Sequence, residues 1–451
     1  MLRFLRTTMT SLISPPRVPI PAHGVDYRGK VVLAPMVRSG ELPSRLMALK
    51  YGADLVWGPE TIDKAIMGAT RRINPRTSTI EFTRTPSNGG GRTDKAIKES
   101  VIYRIDPVRE KGKLIFQIGT ASPEFAVQAA KVVAGDVAGI DVNSGCPKPF
   151  STSGGMGAAL LRTPDKLVSI LEALVRDVGN PYQIGISVKI RILETPELTE
   201  SLVTRLVATG ITGLTVHCRT TPMRPRERAI REQLRMIAGI CRNAGVACVM
   251  NGDVASRDEG LALMKEFGVD GAMIATAAEA NPSCFRTTAE GGLLSWREVV
   301  RAYMEACLEC ENRWGNTKYL LNMLVPGKNK EFKDAKSAKN YADVCRILQF
   351  DDLVPLAKDV DKIMDLDKRA TITQDGETRS SAVQKAIENN ESARAAGNAT
   401  RPKQSSTVAT GVGPIRTNSM PSGVSKPAPE TDVDLSAVSG TLPQQNSGIA
   451  V

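Results

Sequence analysis

Residues 138–148 read Ala138-Gly139-Ile140-Asp141-Val142-Asn143-Ser144-Gly145-Cys146-Pro147-Lys148. An apolar run over 138–142 ends abruptly in a small polar turn that carries one cysteine. A buried strand that empties into a tight loop is where enzymes hold reactive side chains. A lone cysteine before a proline also reads as a buried structural residue. Seven other strand-like runs decide between the two readings, because each of them also ends in a polar or catalytic-type residue.

The eight runs lie at residues 31–35, 54–58, 114–118, 139–143, 184–190, 213–217, 246–250 and 271–275. Most are short, continuous and β-branched, as a parallel sheet covered on both faces requires. Helical patterns fall between them at 43–51, 123–133, 164–177, 197–208, 230–244 and 256–267. Pro43, Pro123 and Pro164 sit where helices begin, and Gly52, Gly210, Gly245 and Gly268 where they end. Eight strands alternating with helices over about 250 residues predict an α/β fold, a (β/α)8 TIM barrel. The alternative, a doubly wound open sheet, calls for a Gly-rich dinucleotide turn. The first run is followed instead by Met36-Val37-Arg38-Ser39-Gly40.

Domain boundaries follow from changes of rhythm. Residues 1–26 read as a leader and 27–292 as the barrel. The long connection 61–113 reads as an insertion, with its Gly-rich tip Ser87-Asn88-Gly89-Gly90-Gly91-Arg92 over the mouth of the barrel. Residues 293–368 read as a small all-α domain, with helices at 296–314, 316–324 and 331–350. Lys328, Lys330, Lys333, Lys336 and Lys339 form a basic stripe there. Such a stripe suits a nucleic-acid partner, and equally a solvated helix face. Cys307 and Cys310 read as core-facing positions rather than a metal site. Residues 369–451 lose their aromatics and read as a disordered tail, with a transient helix at 380–396.

Composition bounds the function. The 451 residues carry a formal charge of +11, which favours a polyanionic partner. Eight irregularly spaced cysteines suggest a reducing compartment. No apolar run is long enough to span a bilayer. Arg3, Arg6 and Arg17, with no acidic residue before Asp26, give residues 1–24 the composition of a mitochondrial transit peptide. Pro15, Pro16, Pro19 and Pro21 favour a disordered leader instead, with the protein cytoplasmic or nuclear.

In a parallel barrel all C-terminal strand tips face one mouth. The tips here carry Pro35-Met36, Glu60, Gln117, Cys146, Lys189, His217, Asn251-Gly252-Asp253 and Ala275-Thr276-Ala277. A lysine at the end of an apolar strand is costly unless it meets a phosphate, a carboxylate or an electron-rich cofactor. Small residues after the seventh and eighth strands suit a phosphate. The residues alone thus describe a barrel enzyme with a phosphorylated ligand, and a Schiff-base role for Lys189 stays open.

The chain resembles the flavin-dependent tRNA-dihydrouridine synthases. The residues that carry the resemblance are Ala34-Pro35-Met36-Val37, Gln117-Ile118-Gly119, Asn143-Ser144-Gly145-Cys146-Pro147, Gly154-Gly155-Met156-Gly157-Ala158, Val188-Lys189-Ile190-Arg191, His217-Cys218-Arg219-Thr220 and Asn251-Gly252-Asp253. Asn316-Thr317-Lys318-Tyr319 is similar to the eukaryotic cytosolic branch acting at tRNA position 20. The resemblance implies FMN at the barrel mouth, NADPH as reductant and tRNA as substrate. It implies that Pro35, Met36, Val37, Gln117, Lys189, His217, Asn251, Gly252, Asp253, Ala275 and Thr276 hold the cofactor, and that Cys146 is the proton donor. Asn143, Lys148, Arg191 and Arg219, with Lys328, Lys333 and Lys336, are the candidates for holding RNA. A monomer without a membrane anchor is expected. The chain departs from the family pattern at Ser144, Pro59-Glu60, Cys218 and Thr276, and it shows no double-stranded-RNA-binding domain after the helices. Two other functions fit the barrel: a flavin oxidoreductase of a free pyrimidine, and a non-catalytic RNA-binding protein.

Overall fold

The β-branched runs pair side by side in chain order, all of them parallel. The computed structural model describes residues 17–85 and 99–367. Its barrel strands are Lys30–Leu33, Val56–Trp57, Leu114–Gly119, Gly139–Ser144, Gly185–Arg191, Gly213–His217, Ala247–Asn251 and Gly271–Ile274. The ring closes because the first strand pairs with the eighth, from Lys30↔Gly271 to Leu33↔Ile274. Closure establishes the barrel and excludes the open sheet.

The second strand is shorter than its pattern predicts. At Asp54 the ladder is only half backbone: its amide donates to the Val31 carbonyl at 3.0 Å, while its carboxylate accepts from the Val31 amide at 2.8 Å and from Arg257 at 3.1 Å. Beyond Gly58-Pro59-Glu60 the chain resumes as Thr61–Ile62, paired with the end of the third strand. The N-terminal end of the barrel is plugged by Tyr27, whose ring packs 5.8 Å from that of Trp57.

Surrounding helices start and stop where their local chemistry dictates. Pro123–Val133, Pro196–Val207 and Arg257–Phe267 are capped by the side chains of Ser122, Thr195 and Ser256. The helix expected over 230–244 begins only at Leu234, and the one expected over 164–177 passes at Val175 into a wider π turn.

Two findings concern the connections. The insertion folds as an antiparallel sheet of Thr70–Ile73, Ile80–Arg84 and Ser100–Ile105. It stands against the barrel wall, where a crossover helix would otherwise pack. Tyr103 meets Phe116 edge-on at 4.9 Å, and Arg71 pairs with Asp136 at 2.7 Å. The described insertion sheet thus flanks the barrel, and the Gly-rich tip expected over the mouth lies outside the described residues. Residues 17–26, expected as leader, are tied to the barrel by Val18 N–H to the Gly245 carbonyl (3.0 Å) and His23 N–H to the Gln183 carbonyl (2.7 Å). Residues 1–16 and 368–451, with the expected tail and its transient helix, also lie outside the described residues.

The C-terminal segment is helical, as Trp296–Glu309, Trp314–Leu324, Lys330–Ser337, Tyr341–Ile347 and Val354–Ile363. The single helix expected over 296–314 breaks at Glu311, which adopts a left-handed φ of 51°. The carboxylate of Glu311 is gripped there by Arg76 of the insertion at 2.7 Å. The helix expected over 331–350 splits before Tyr341, because Asp361 accepts from the amides of Tyr341 and Ala342 at 2.9 Å each. One apolar core runs from Val31 to Leu366, so the helical segment and the barrel share it. Cys307 is buried in that core and Cys310 in a small separate cluster with Leu42 and Leu46, and no cluster of metal-ligating side chains occurs among the described residues. No helix among them is long and apolar enough to cross a membrane.

Candidate active site

Parallel closure carries the tip residues to one end, where a cleft of about 280 Å³ opens. Pro35, Met36, Val37, Gln117, Asn143, Cys146, Lys148, Lys189, Arg191, His217, Asn251 and Ala275 line it. A second pocket of about 120 Å³ shares Arg191, His217, Asn251 and Ala275 with the cleft and adds Arg219, Gly252, Asp253 and Thr276. The cofactor and substrate candidates of the barrel therefore surround one continuous space. Lys328, Lys333 and Lys336 do not: they are exposed on or beside the helix Lys330–Ser337.

The floor of the cleft is a buried polar network. Gln117 donates its amide to Asp141 Oδ2 at 2.8 Å, and Ser187 Oγ donates to Oδ1 at 2.7 Å. Burial pushes the Asp141 carboxyl up to about 6. An ionised carboxylate only accepts, so Gln117 must turn its nitrogen to Asp141 and keep its carbonyl oxygen for another partner. Lys189 Nζ donates to Asn251 Oδ1 at 3.0 Å, and Asn251 in turn donates to the Met273 carbonyl at 3.0 Å. Burial first, and then the charge of Arg191, bring the Lys189 ammonium down to about 8. Burial and the cations Lys189, Arg191 and Arg219 push His217 far down, to about 2, so its imidazole is neutral at any working pH.

The cysteine loop is built by Asn143, whose Oδ1 accepts from the amides of Gly145 (3.0 Å) and Cys146 (3.1 Å). The glycine-rich turn that follows packs directly beneath it. A Cβ on Gly157, at φ 56°, would lie 2.6 Å from the Cys146 carbonyl oxygen. Ala158 N–H closes the loop onto that oxygen at 2.9 Å. Burial pushes the Cys146 thiol up, and the nearby Glu60 carboxylate adds to the effect.

Three residues read as RNA contacts are already committed to the protein. Asn143 caps the cysteine loop. Arg191 donates to the carbonyls of Gly145 (2.7 Å) and Thr220 (2.9 Å). Arg219, only 4% exposed, donates to the carbonyls of Glu227 and Pro225 and pairs with Asp253 at 2.5 Å.

The dihydrouridine synthase family model matches residues 32–341. The chain belongs to the dihydrouridine synthase family. Across 332 residues it is 51% identical to the tRNA-dihydrouridine(20) synthase [NAD(P)+] of Schizosaccharomyces pombe, covering 72% of this chain and 66% of that one. The corresponding enzyme of Saccharomyces cerevisiae is 46% identical over 331 residues, 72% of this chain and 84% of its own. A human protein named tRNA-dihydrouridine(20a/20b) synthase [NAD(P)+]-like is 30% identical over 254 residues, 56% of this chain and 70% of its own.

The cleft carries further residues that the tip positions alone do not assign. Tyr319 reaches the cleft from the helical segment, with the Arg38 guanidinium 4.5 Å above its ring. Glu279 lines the cleft and accepts from the Ser39 hydroxyl. Glu60 and Cys146 are both legible as tip residues, but their adjacency is not. Asp141 was visible only as part of the strand.

Proposed function

We propose that this protein is a tRNA-dihydrouridine synthase. It reduces the C5–C6 double bond of a uridine in the tRNA D-loop, at position 20, with FMN as cofactor, NADPH as reductant and Cys146 as proton donor. The convergence of Cys146, Gln117, Lys189 and His217 on one cleft carries this reading. The activities for which the two yeast relatives are named support the choice of substrate and position. Their alignment spans 66% of the fission-yeast protein and 84% of the budding-yeast one.

The residues present fit FMN. A wide cleft adjoins a narrower pocket lined by Gly252, Thr276 and two arginines, which suits a ring system with an anionic arm. Pro35, Met36 and Val37 form one wall for the ring. Gln117 keeps its carbonyl oxygen as an acceptor, and Lys189 supplies a cation. Asn251, Gly252, Asp253, Ala275 and Thr276 surround the arm. Bound FMN supplies the hydride added to the base. Cys146, held as a thiol at neutral pH, supplies the proton. The base must leave the tRNA stack to enter the cleft. We propose further that the protein acts as a monomer.

Mass spectrometry of tRNA nucleosides tests the reading in cells lacking the protein. Dihydrouridine at position 20 should be absent, restored by the wild-type chain and not by Cys146→Ala. Dihydrouridine at that position without the protein would overturn the assignment. Turnover of a free pyrimidine without tRNA would overturn it in favour of a small-molecule oxidoreductase.

A further inference from the structure

We propose that Glu60 is the proton partner of Cys146: as a carboxylate it holds the thiol protonated, and as a carboxylic acid it returns the proton that Cys146 gives up. The inference rests on Cys146 being the proton donor.

Glu60 lies in the break of the second strand, between Val56–Trp57 and Thr61–Ile62, and lines the cleft with Cys146. Pro59 has no N–H for a ladder, so the chain leaves the sheet at this point. Ser151 Oγ donates to Glu60 Oε1 at 2.8 Å, and the Asn143 amide and the Cys146 thiol face the same carboxylate. Oε2 is buried with no hydrogen-bond partner. The third strand makes room for the group, because a Cβ on Gly119 would sit 2.5 Å from Oε1.

A buried carboxylate with one oxygen unpartnered binds a proton more readily than an exposed one. Burial does raise the Glu60 carboxyl, against the hydrogen bonds it accepts. The charged groups facing Cys146 are Glu60, Lys148, Lys189 and Arg191. Lys189 is held by Asn251, and Arg191 by two backbone carbonyls. Glu60 is the anion of the set. When the S–H bond of Cys146 breaks and its proton goes to carbon, a thiolate is left beside that anion. Two adjacent negative charges favour uptake of one proton. Glu60 takes it from a solvent acid, a hydronium ion or protonated buffer, whose conjugate base stays in the bulk. Its O–H bond then breaks as the S–H bond of Cys146 re-forms, because the thiolate is the stronger base. Glu60 returns to its carboxylate, and the net consumption is one solvent proton per base reduced.

Cysteine alkylation by iodoacetamide tests the coupling without the cofactor reaction. The seven other cysteines are buried, so Cys146 is the accessible thiol. Its alkylation rate is followed against pH by peptide mass spectrometry on the full chain. Glu60→Gln should lower the midpoint by about one pH unit relative to the wild type. Glu60→Asp, which keeps the charge but withdraws it by one methylene, should fall between the two. An unmoved midpoint in both variants overturns the proposal. Single-turnover mixing of reduced holoenzyme with tRNA tests the proton return. Glu60→Gln should keep the first turnover and lose at least about tenfold in the steady state, since proton transfer contributes about 10²–10⁴. Equal loss in both phases overturns this step. Full turnover by Cys146→Ala would instead remove the donor role of Cys146, leaving any shift of the alkylation midpoint as a separate result.

Discussion

Cys146 and Lys189 line the same cleft, and burial moves them in opposite directions, the thiol up and the ammonium down. Each shift serves the role proposed for the residue. A thiol that stays protonated is a proton donor, so Cys146→Ala should keep tRNA and FMN binding and lose about 10²–10⁴ in turnover. Rapid-mixing measurement of flavin oxidation by tRNA checks this, and a wild-type rate would remove the assignment. Lys189, brought down to about 8, is a cation below that pH and neutral above it. FMN retention by the wild type should therefore weaken as pH rises from about 7 to about 9, because the favourable charge disappears. Lys189→Ala should retain FMN less well throughout, and with little pH dependence. Equilibrium dialysis across this range reads both effects.

The insertion and the first helix are joined by a fully buried ion pair. Arg45, in the helix Leu42–Lys50, meets Glu110 at 2.6 Å, with the two side chains 1% and 0% exposed. The same guanidinium donates to the carbonyls of Gly40 and Arg104. It thereby ties the turn after the first strand to the inserted sheet. Removing one partner leaves a buried charge uncompensated, so Arg45→Met should cost about 3–5 kcal/mol. Urea titration should show a lower midpoint with the slope preserved. A loss below about 1 kcal/mol would mean that the pair is dispensable.

At the scale of the whole molecule, the helical segment borders the cleft. Tyr319 lines the cleft, while Lys328, Lys330, Lys333, Lys336 and Lys339 lie exposed on the same segment. A polyanion gripped by those lysines would therefore lie on the segment that also borders the cleft. Neutralising Lys328, Lys333 and Lys336 should weaken tRNA binding and flatten its salt dependence by about two to three units of slope, since each phosphate contact contributes a little under one. Reduction of bound flavin by NADPH should not change. Deleting residues 369–451 should cost less affinity than the triple substitution. Titrations of tRNA against salt decide the point, and a larger loss from the deletion would place the main grip in the C-terminal region.

The sequence by itself determined the barrel and the identity of most cleft residues. Both follow from short-range rules: β-branched runs make buried strands, prolines and glycines punctuate helices, and parallel closure sends every strand tip to one mouth. Gln117, Cys146, Lys189 and His217 were legible for that reason. Tertiary structure decided which polar groups were left over for a ligand. Arg191 and Arg219 look in sequence like RNA contacts; in the fold their guanidinium groups line the pockets and also donate to backbone carbonyls and, for Arg219, to Asp253. The helix breaks at Glu311 and before Tyr341 depend on Arg76 and Asp361, which no local pattern places there. Glu60 acquires its meaning only when the broken second strand brings it beside Cys146. Hydrogen-bond partners and burial arise from long-range contacts, and local periodicity carries no record of them.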